Sequence, residues 1–322
     1  MQSLKFDTRT IPDVEIIERR LYDVLADSKG AVRKMCSHIL SAGGKRIRPL
    51  LTLYSGLVFS ELTEELINAA VAAELIHMAS LVHDDIIDDS SLRRGKPSVN
   101  ELWGNHFAVL CGDYLFAKAF GILSGNRLIG SMDLMVDAIQ NMCQGEILQA
   151  GDRFSNEISM EAYYERISKK TAIFLQCCCK SGAAVAGACE VHTEIIGEYG
   201  LNIGIAFQVI DDILDFCGDA DTMGKPKNGD LCQGNITLPI ILLMEDEKQG
   251  EWIREAICKK EFTVSDIDSI VAMLKESSAI SRAFCIAKSH IDKAVQCLDM
   301  LPQTPYTALL YDIAFMLQAR TN

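Results

Sequence analysis

The chain has 322 residues, 49% of them hydrophobic and only 7 of them proline, and its formal net charge is −13 at pH 7. This negative charge argues against nucleic acid as a partner, because proteins that bind nucleic acids present clustered cations to the phosphates. The twelve cysteines lack zinc-ligand spacing and indicate buried thiols in a reducing compartment. The first residues have neither signal-peptide nor transit-peptide character, and charged or polar residues interrupt every apolar run. We therefore expect a cytoplasmic protein that does not span a membrane.

Long apolar segments repeat at helical spacing along the chain. No segment shows the alternation of a half-buried strand, and no linker rich in Gly, Pro or Ser divides the sequence. We therefore predict an all-α fold in a single domain over residues 1–322, with a core large enough to surround a ligand. The motifs described below lie between residues 40 and 240, whereas residues 241–322 carry no motif and are typical of packing helices.

The first candidate site is a basic turn at residues 43–49, Gly-Gly-Lys-Arg-Ile-Arg-Pro, after a predicted helix that ends near Leu40. Two glycines let the backbone approach a ligand closely, and Lys45, Arg46 and Arg48 follow within four positions. Arginine offers a planar fork for phosphate oxygens, and lysine offers a point charge. Basic turns between helices are common, so this segment alone is weak evidence for a phosphate site.

A cluster of carboxylates, Asp84, Asp85 and Asp88, ends the next apolar segment, residues 69–83. Helix residues four apart share a face, so Asp84 and Asp88 project together. Such like-charge stacking costs roughly 0.2–0.5 kcal/mol per pair on an exposed helix, which a bound cation would offset. His77 lies two turns before Asp84 on the same face, where both a buried core histidine and a diphosphate contact fit the pattern.

Three further basic segments follow along the chain. The first comes directly after the acid cluster, the second precedes Thr171 in a helix-like segment, and the third is a loop over residues 224–230. Their cations are Arg93, Arg94, Lys169, Lys170 and Lys225.

A second cluster of the same form, Asp211, Asp212 and Asp215, ends the apolar segment 201–210. One such cluster is equally well explained by a solvated helix end, but two clusters on apolar helices favour cation sites. Carboxylate ligands favour Mg²⁺ or Mn²⁺, and Mg²⁺ commonly bridges one or two carboxylates to substrate phosphates. The neighbouring basic segments then predict a divided site, with one diphosphate bound through metal ions and another held directly by Lys and Arg.

In this order, the segments resemble those of the trans-isoprenyl diphosphate synthases, or polyprenyl synthases, and most of all the medium- and long-chain members of heptaprenyl and octaprenyl type. Each segment alone is modest evidence, whereas the ordered set is specific. The matching segments are 43–49, 81–88, 93–95, 112–115, 145–146, 170–171, 208–216 and 237–239.

The resemblance implies a single large helical bundle of isoprenoid synthase type with a deep central cavity, as a homodimer or as one subunit of a heteromer. It implies a prenyltransferase that condenses an allylic diphosphate with isopentenyl diphosphate, head to tail and in trans. It also implies a requirement for Mg²⁺, three ions per active site, with Mn²⁺ as an alternative ion.

The resemblance also implies a role for each matching residue. Asp84 and Asp88 are implied to bind two of the metal ions, and Asp85 to support them. Asp211 is implied to bind the third ion, and Asp212 and Asp215 to support it. The residues implied to contact the allylic diphosphate are Arg93, Lys170, Thr171, Gln208 and Lys225. Those implied to hold isopentenyl diphosphate are Lys45, Arg48, His77 and Arg94.

One position departs from many members of the family. A lysine often stands where Asn235 stands here, so one cationic contact to the allylic diphosphate is missing. The asparagine form is associated with enzymes that make medium and long chains.

Product length is expected to depend on residues just before the first acid cluster. In short-chain members a bulky aromatic residue five positions before the first Asp closes the product tunnel, but Ala79 and Ser80 stand here. The small side chains equally fit close helix packing. The resemblance therefore implies a deeper floor and about six to eight isoprene units, or C30–C40. The large residues expected at that floor are Met135, Ile139 and Met142.

Other functions fit less well. A short-chain farnesyl or geranylgeranyl diphosphate synthase would share every motif except the open position at Ala79. A class I terpene cyclase would lack the second Asp run and the basic turn, and a regulatory subunit would lack the Asp runs. A di-iron bundle would need two Glu-x-x-His pairs, and Glu74 with His77 is one such pair without a convincing second.

Overall fold

A computed structural model describes residues 12–218 and 228–319, and most of them are helical. The prediction of an all-α fold is confirmed. The first ten helices are α1 Pro12–Ala26, α2 Gly30–Ser41, α3 Ile47–Leu57, α4 Glu64–Ile87, α5 Val99–Trp103, α6 Asn105–Gly125, α7 Ile129–Gly151, α8 Met160–Ile167, α9 Ile173–Val185 and α10 Glu190–Cys217. The later helices are α11 Gly229–Cys232, α12 Leu238–Leu243, α13 Glu247–Cys258, α14 Val264–Glu276, α15 Ala279–Asp299 and α16 Pro305–Ala319.

The chain forms two compact units. The first comprises Met1–Asp137, Cys177–Gly197 and Leu301–Leu310, and the second comprises Ala138–Gln176, Glu198–Met300 and Tyr311–Asn322. Each unit carries one of the two acid clusters. The expectation of one domain over residues 1–322 stays a prediction.

Helix α4 forms the core of the first unit. Thr63 caps its start by accepting a hydrogen bond from the amide of Leu66 at 3.2 Å, and Glu64 and Glu65 complement the positive end of the helix dipole. The helix is then apolar on every side and is buried along most of its length, packed against α3 and α6. Helices that are hydrophobic all round occur in the centre of a fold, so α4 holds its last turn, with the first acid cluster, in a fixed place.

Small residues let neighbouring helices in the first unit approach closely. Gly112 on α6 lies against the ring of His83, and a Cβ there would collide with it. Gly182 on α9 lies against the backbone of Thr52 on α3 in the same way. The close packing of α6 on α4 fixes His83, whose Nε2 donates to the carbonyl of Val109 at 3.1 Å.

The one sheet among the described residues is a hairpin of two short strands, β1 Leu92–Arg93 and β2 Lys96–Pro97. Its two-residue turn, Arg94–Gly95, has φ of 52° and 75°, as a type I′ hairpin turn requires. Lys96 Nζ donates to the carbonyl of Ser41 at 2.6 Å, so the hairpin is tied to the end of α2. The hairpin, which periodicity did not predict, therefore gives Arg93 and Arg94 a defined position.

A π-helical turn and helix α10 shape the second unit. The turn, Ser168–Ala172, joins α8 to α9 and contains Lys170 and Thr171. Such turns commonly occur at functional sites. Gly204 on α10 has no side chain and lies directly against Ala172, so the turn packs closely on α10.

Two helices have the length and hydropathy of a membrane span. Within α4, 72% of the apolar window is buried inside the protein, as in a core helix, whereas the figure for α6 is 33%. Both helices also carry polar or charged residues, including Glu74 in α4 and Asp113 in α6. All twelve cysteines are free thiols, but six of them are exposed, so the prediction that the thiols are buried is wrong for half of them.

Candidate active site

The first acid cluster lies at the C-terminal end of α4. Asp84 and Asp85 belong to the last turn, and Asp88 is the C-cap residue, with its amide donating to the carbonyl of Asp84 at 2.9 Å. The C-terminal end of a helix carries partial negative charge, so carboxylates there are unfavourable by roughly 0.3–1 kcal/mol each. This cost adds to the mutual repulsion of Asp84 and Asp88, and a bound divalent cation would offset both.

Asp85 differs from its neighbours in the cluster. It is buried, and it accepts hydrogen bonds from both Nε and Nη2 of Arg93, the first at 2.9 Å. Arg93, predicted to contact the allylic diphosphate, is thus held beside the acid cluster by the carboxylate predicted to support the metal ions. A charge-assisted pair of this kind fixes the direction of the guanidinium.

The three cations of the basic turn, Lys45, Arg46 and Arg48, differ in their exposure to solvent. Lys45 is exposed, whereas Arg46 is buried, and Arg48 lies in the first turn of α3. Arg48 Nη1 donates to Nε2 of His77 at 3.1 Å, so the ring nitrogen is the acceptor. Burial, and next the charge of Arg48, hold the pKa of His77 well below its ordinary value. His77 is therefore neutral at pH 7, and it aligns Arg48 rather than adding positive charge.

Arg94 lies directly over the glycines of the basic turn. A Cβ on Gly44 would stand 2.5 Å from Nη1 of Arg94, so only glycine leaves room for this guanidinium. The first unit thus brings Arg48 against His77 and Arg94 against the glycine that precedes Lys45, and the role of these four residues in holding isopentenyl diphosphate stays a prediction. A cationic cluster of this composition is suited to a diphosphate.

The second acid cluster lies in the last two turns of α10, again at the negative end of a long helix. Asp212 is buried, and both its oxygens accept hydrogen bonds: from the Tyr163 hydroxyl at 2.7 Å and from Gln208 Nε2 at 2.9 Å. Burial, and next the charge of Asp230, raise the pKa of Asp212 to about 7. Gln208 also accepts a hydrogen bond from the Thr171 hydroxyl at 2.9 Å. Hydrogen bonds therefore link Thr171 and Gln208, both predicted to contact the allylic diphosphate, to Asp212.

Asp215 organises the segment that follows the cluster. Its carboxylate accepts from the amides of Gly229 and Asp230 at 3.1 and 3.3 Å, and its carbonyl accepts from the amide of Asn228 at 3.1 Å. Asp215 therefore fixes the start of α11. Lys225, predicted to contact the allylic diphosphate, lies outside the described residues. Asn235, the position singled out above as a departure from the family pattern, is buried and donates to Asp230 at 3.4 Å.

Lys170 projects from the π-helical turn towards α7. Its Nζ lies 2.5 Å from Oε1 of Glu146 and donates to Gln149 at 3.3 Å. Gly145 precedes Glu146 on α7, and a Cβ at this position would stand 2.5 Å from the amide nitrogen of Lys170. The close approach of α7 to the π-helical turn therefore needs glycine. This contact explains why a Gly-Glu pair and a Lys-Thr pair occur together in the sequence.

The residues predicted to control product length are small and mostly buried. Ala79 has no exposed surface, and the Ser80 hydroxyl donates to the carbonyl of His77 at 3.0 Å. Of the residues predicted at the tunnel floor, Met135 is fully buried, and Ile139 and Met142 are partly buried. Their role in product length stays a prediction.

Comparison with known proteins places these features in one family. A family model described as Polyprenyl synthetase matches residues 29–274. The chain belongs to the polyprenyl synthetase family. It is 37% identical to heptaprenyl diphosphate synthase component 2 of Geobacillus stearothermophilus over 308 residues, which cover 96% of each chain. As a member of this family, the protein is a prenyltransferase, as the motif order predicted.

Solved structures of the polyprenyl synthetase family share the fold. A decaprenyl diphosphate synthase from Rhodobacter capsulatus matches with a TM-score of 0.90 and 29% identity, covering 96% of each chain. A polyprenyl synthase from Caulobacter crescentus CB15, complexed with calcium and isoprenyl diphosphate, matches with a TM-score of 0.88 and 32% identity, covering 96% of this chain and 94% of that one. The prediction of an isoprenoid synthase type of fold is confirmed.

The acid runs suit a metal ion shared with a substrate better than one enclosed by protein. Within residues 12–218 and 228–319, no group of three or more His, Cys, Asp or Glu side chains is placed to hold a metal ion. Asp85, Asp212 and Asp215 already accept hydrogen bonds from protein donors. A polyprenyl synthetase that binds Mg²⁺ here would therefore supply one or two carboxylates per ion, with substrate phosphates completing the shell.

Several functional contacts were not predicted from sequence. Tyr163, which holds Asp212, and Glu146, which holds Lys170, were not assigned roles, and Arg46 was treated as one more cation of the basic turn. A Gly-Glu dipeptide in the family pattern was the available signal for Glu146. For Tyr163, the spacing from the Lys-Thr pair gives no indication of its partner, which lies 49 positions away.

Proposed function

We propose that the protein condenses isopentenyl diphosphate with an allylic diphosphate, in a reaction that requires Mg²⁺, to make a trans-polyprenyl diphosphate of about six to eight isoprene units. The observation that carries the proposal is the placement of both Asp runs at the negative ends of buried helices, α4 and α10. Carboxylates in that position are unfavourable unless cations offset them. The calcium and isoprenyl diphosphate of the Caulobacter relative support this assignment.

The chain's own residues bind and orient the allylic diphosphate. Asp84, Asp88 and Asp211 would hold three Mg²⁺, or Mn²⁺, which neutralise the charge of the departing diphosphate when bound. Arg93 in the first unit and Lys170 in the second are each proposed to contact the allylic diphosphate, and their partners Asp85 and Glu146 set their direction. The predicted role of Lys225 is the same.

The condensation itself needs little acid–base chemistry from the protein. The carbon–oxygen bond to the allylic diphosphate breaks, the double bond of isopentenyl diphosphate attacks the allylic cation, and a proton is then lost to the released diphosphate. Arg48 and Arg94 hold the diphosphate of isopentenyl diphosphate, so that the double bond of this substrate is placed against the allylic cation. Burial around α4 excludes water, which would convert the cation to an alcohol.

A direct assay tests the proposal. Purified protein is incubated with Mg²⁺, isopentenyl diphosphate and an allylic starter, and released diphosphate is measured against one prenyl product per condensation. We expect stoichiometric release that EDTA abolishes and that Mg²⁺ or Mn²⁺ restores. Turnover that EDTA leaves unchanged would rule out the metal assignment, and no condensation with any starter would contradict the function, unless added partner protein restores it.

The separation of the two diphosphate sites predicts a selective effect of Arg48→Ala. Arg48 is aligned by His77, whereas Arg93 is held by Asp85 of the first acid cluster. The apparent KM for isopentenyl diphosphate should rise at least ~10-fold, because a charge-assisted hydrogen bond contributes about 1.5–3 kcal/mol. The KM for the allylic starter should change little. Steady-state kinetics with each substrate varied in turn checks this, and an equal rise in both constants would show that the division is wrong.

The exposed face of α6 supports a homodimer. Phe107, Val109 and Leu110 are 47%, 43% and 51% exposed, on a helix whose hydropathy is that of a buried one. Contiguous apolar surface of this kind marks a protein interface, and a second copy of the chain offers the same face. The name of the Geobacillus relative, component 2, supports a heteromer as the alternative assembly.

Placing Glu at both Phe107 and Leu110 should convert the dimer to monomer. Two buried carboxylates across a symmetric interface would face their own copies and repel. Light scattering after size exclusion measures the mass, and Val264→Glu, at a 77% exposed position on α14, is the matched control. A double variant that stays dimeric would exclude this face as the interface. A wild-type monomer that assembles only with a different protein would favour the heteromer.

The proposed product length follows from the names of relatives and from one small residue. The relatives are named for seven-unit and ten-unit products, and Ala79 is small at the position where a bulky residue would end growth early. A cytoplasmic location agrees with the reduced cysteines and with a core role for α4.

A further inference from the structure

Arg46 is the one cation of the basic turn that faces the protein interior. It is 3% exposed, whereas Lys45 before it is exposed. Its backbone is in the left-handed conformation, with a φ of 51°, directly before α3. Its Nε donates to Oε1 of Glu18 at 2.8 Å, and its Nη1 donates to Oε1 of Glu74 at 2.6 Å. Two of its nitrogens are therefore committed to carboxylates of the protein, and the third, Nη2, is buried without a hydrogen-bond partner, so Arg46 is held inside the protein and not presented to solvent like Lys45.

The partner of Arg46 is itself placed beside the candidate substrate site. Glu74 is 2% exposed on α4, three residues before His77. Residues three apart on a helix are neighbours on one face. The pair of Arg46 and Glu74 therefore ties the basic turn to the same stretch of α4 that aligns Arg48 through His77.

Glu74 also supplies negative charge to a crowded cationic cluster. Burial lowers the pKa of Arg94, the charge of Glu74 opposes that shift, and the charges of Arg46, Arg93 and Arg48 add to it. Four arginines thus stand close enough to act on one another before any diphosphate arrives. A buried carboxylate in their midst limits the repulsion that would otherwise spread them apart.

Stability alone is a poor reason for this arrangement. A buried ion pair often contributes little net stability, because the cost of removing two charges from water offsets their attraction. The left-handed conformation of Arg46 adds a further cost, because it brings Cβ close to the following carbonyl oxygen. Backbone strain that the surroundings maintain is typical of functional sites.

We propose that Arg46 and Glu74 are positioning residues for isopentenyl diphosphate, a lock that fixes the turn so that Lys45, Arg48 and Arg94 converge on one diphosphate. The proposal rests on the proposed function and extends it to residues that do not touch substrate. Breaking the lock should weaken the binding of this diphosphate selectively, because Arg93 and Asp85 are held independently.

Four variants test the lock: Arg46→Met, Arg46→Lys, Glu74→Gln and the double variant R46M/E74L. Steady-state kinetics gives KM for each substrate, calorimetry gives the affinity for inorganic diphosphate without turnover, and thermal unfolding gives stability. Lys180→Met, which removes the cation of a 2.7 Å pair with Glu194 elsewhere in the first unit, is the matched control.

We expect R46M and E74Q to raise KM for isopentenyl diphosphate at least tenfold, with less than a threefold change for the allylic starter. Arg46→Lys keeps the positive charge but lacks the forked guanidinium that reaches both Glu18 and Glu74. Its KM for isopentenyl diphosphate should therefore lie between those of the wild type and R46M. The double variant decides between positioning and stability, because it removes both buried charges and should unfold no earlier than the wild type. We expect its KM to stay at least tenfold raised and its affinity for inorganic diphosphate to fall equally.

A double variant with wild-type KM and wild-type diphosphate affinity would overturn the lock and leave the pair a structural feature. The calorimetric result decides this even if the wild type proves unable to condense the two substrates, an outcome that would contradict the proposed function separately. A tenfold loss in K180M would also overturn the proposal, because any lost ion pair would then have the same effect.

Discussion

Replacing Asp84 or Asp211 by alanine should lower turnover by at least ~10²–10³-fold, the usual scale for losing one major electrostatic stabiliser of a transition state. Each residue belongs to an acid run at the negative end of a long helix, α4 or α10. Their carboxylates are the ones proposed to hold divalent ions, and Asp85 and Asp212 are the carboxylates proposed to support them. Initial rates at saturating Mg²⁺ and substrates measure the effect.

The same variants should fold normally. Removing a carboxylate from a helix C-terminus relieves an unfavourable interaction of about 0.3–1 kcal/mol, so the unfolding midpoint should stay or rise. Asp268→Ala, at an exposed position on α14, is the matched control and should leave turnover unchanged. Near-wild-type turnover in either acid-run variant would show that the run does not serve the reaction.

Ala79→Tyr should shorten the product to roughly three or four isoprene units by filling the space into which the chain grows. Ala79 is fully buried on α4, five positions before Asp84, where short-chain members carry a bulky aromatic residue. His77 lies on a different side of the helix from Ala79, and the acid cluster begins more than one turn away, so condensation should continue at a similar initial rate. Chromatography of the dephosphorylated products measures chain length.

Stability separates a plugged tunnel from a damaged core. An aromatic side chain forced into a packed helix contact costs about 1–3 kcal/mol, and the unfolding midpoint would fall by an equivalent amount. Ala79→Ser, which changes the side chain by one hydroxyl, is the control and should keep the wild-type product. A Tyr variant that unfolds at the wild-type midpoint yet still makes the full-length product would refute the assignment of Ala79.

The long helices and their acid ends could be predicted from the sequence because the signal is local. The apolar run of α4, its start at Thr63 and the common face of Asp84 and Asp88 all depend on residues within a few turns. The basic segments with Lys45 and Lys170 were also visible in the sequence, and family resemblance supplied their roles, which stay predictions.

Contacts between distant segments could not be predicted in this way. Nothing near Arg46 distinguishes it from Lys45 or Arg48, and its inward direction follows from Glu18 and Glu74, each 28 positions away. Tyr163 finds Asp212 only once α8 and α10 are packed. The left-handed turn at Arg94 likewise depends on the pairing of two strands too short to show a periodic pattern.

The length of the product made by the wild-type protein tests the account most directly. Purified protein, Mg²⁺, labelled isopentenyl diphosphate and a panel of allylic starters are incubated to completion, and the dephosphorylated prenyl alcohols are sized. We expect all-trans products centred on about six to eight isoprene units, and no products in EDTA. Products that stop at about three or four units would contradict the open tunnel at Ala79 and, with it, the assignment to medium and long chains.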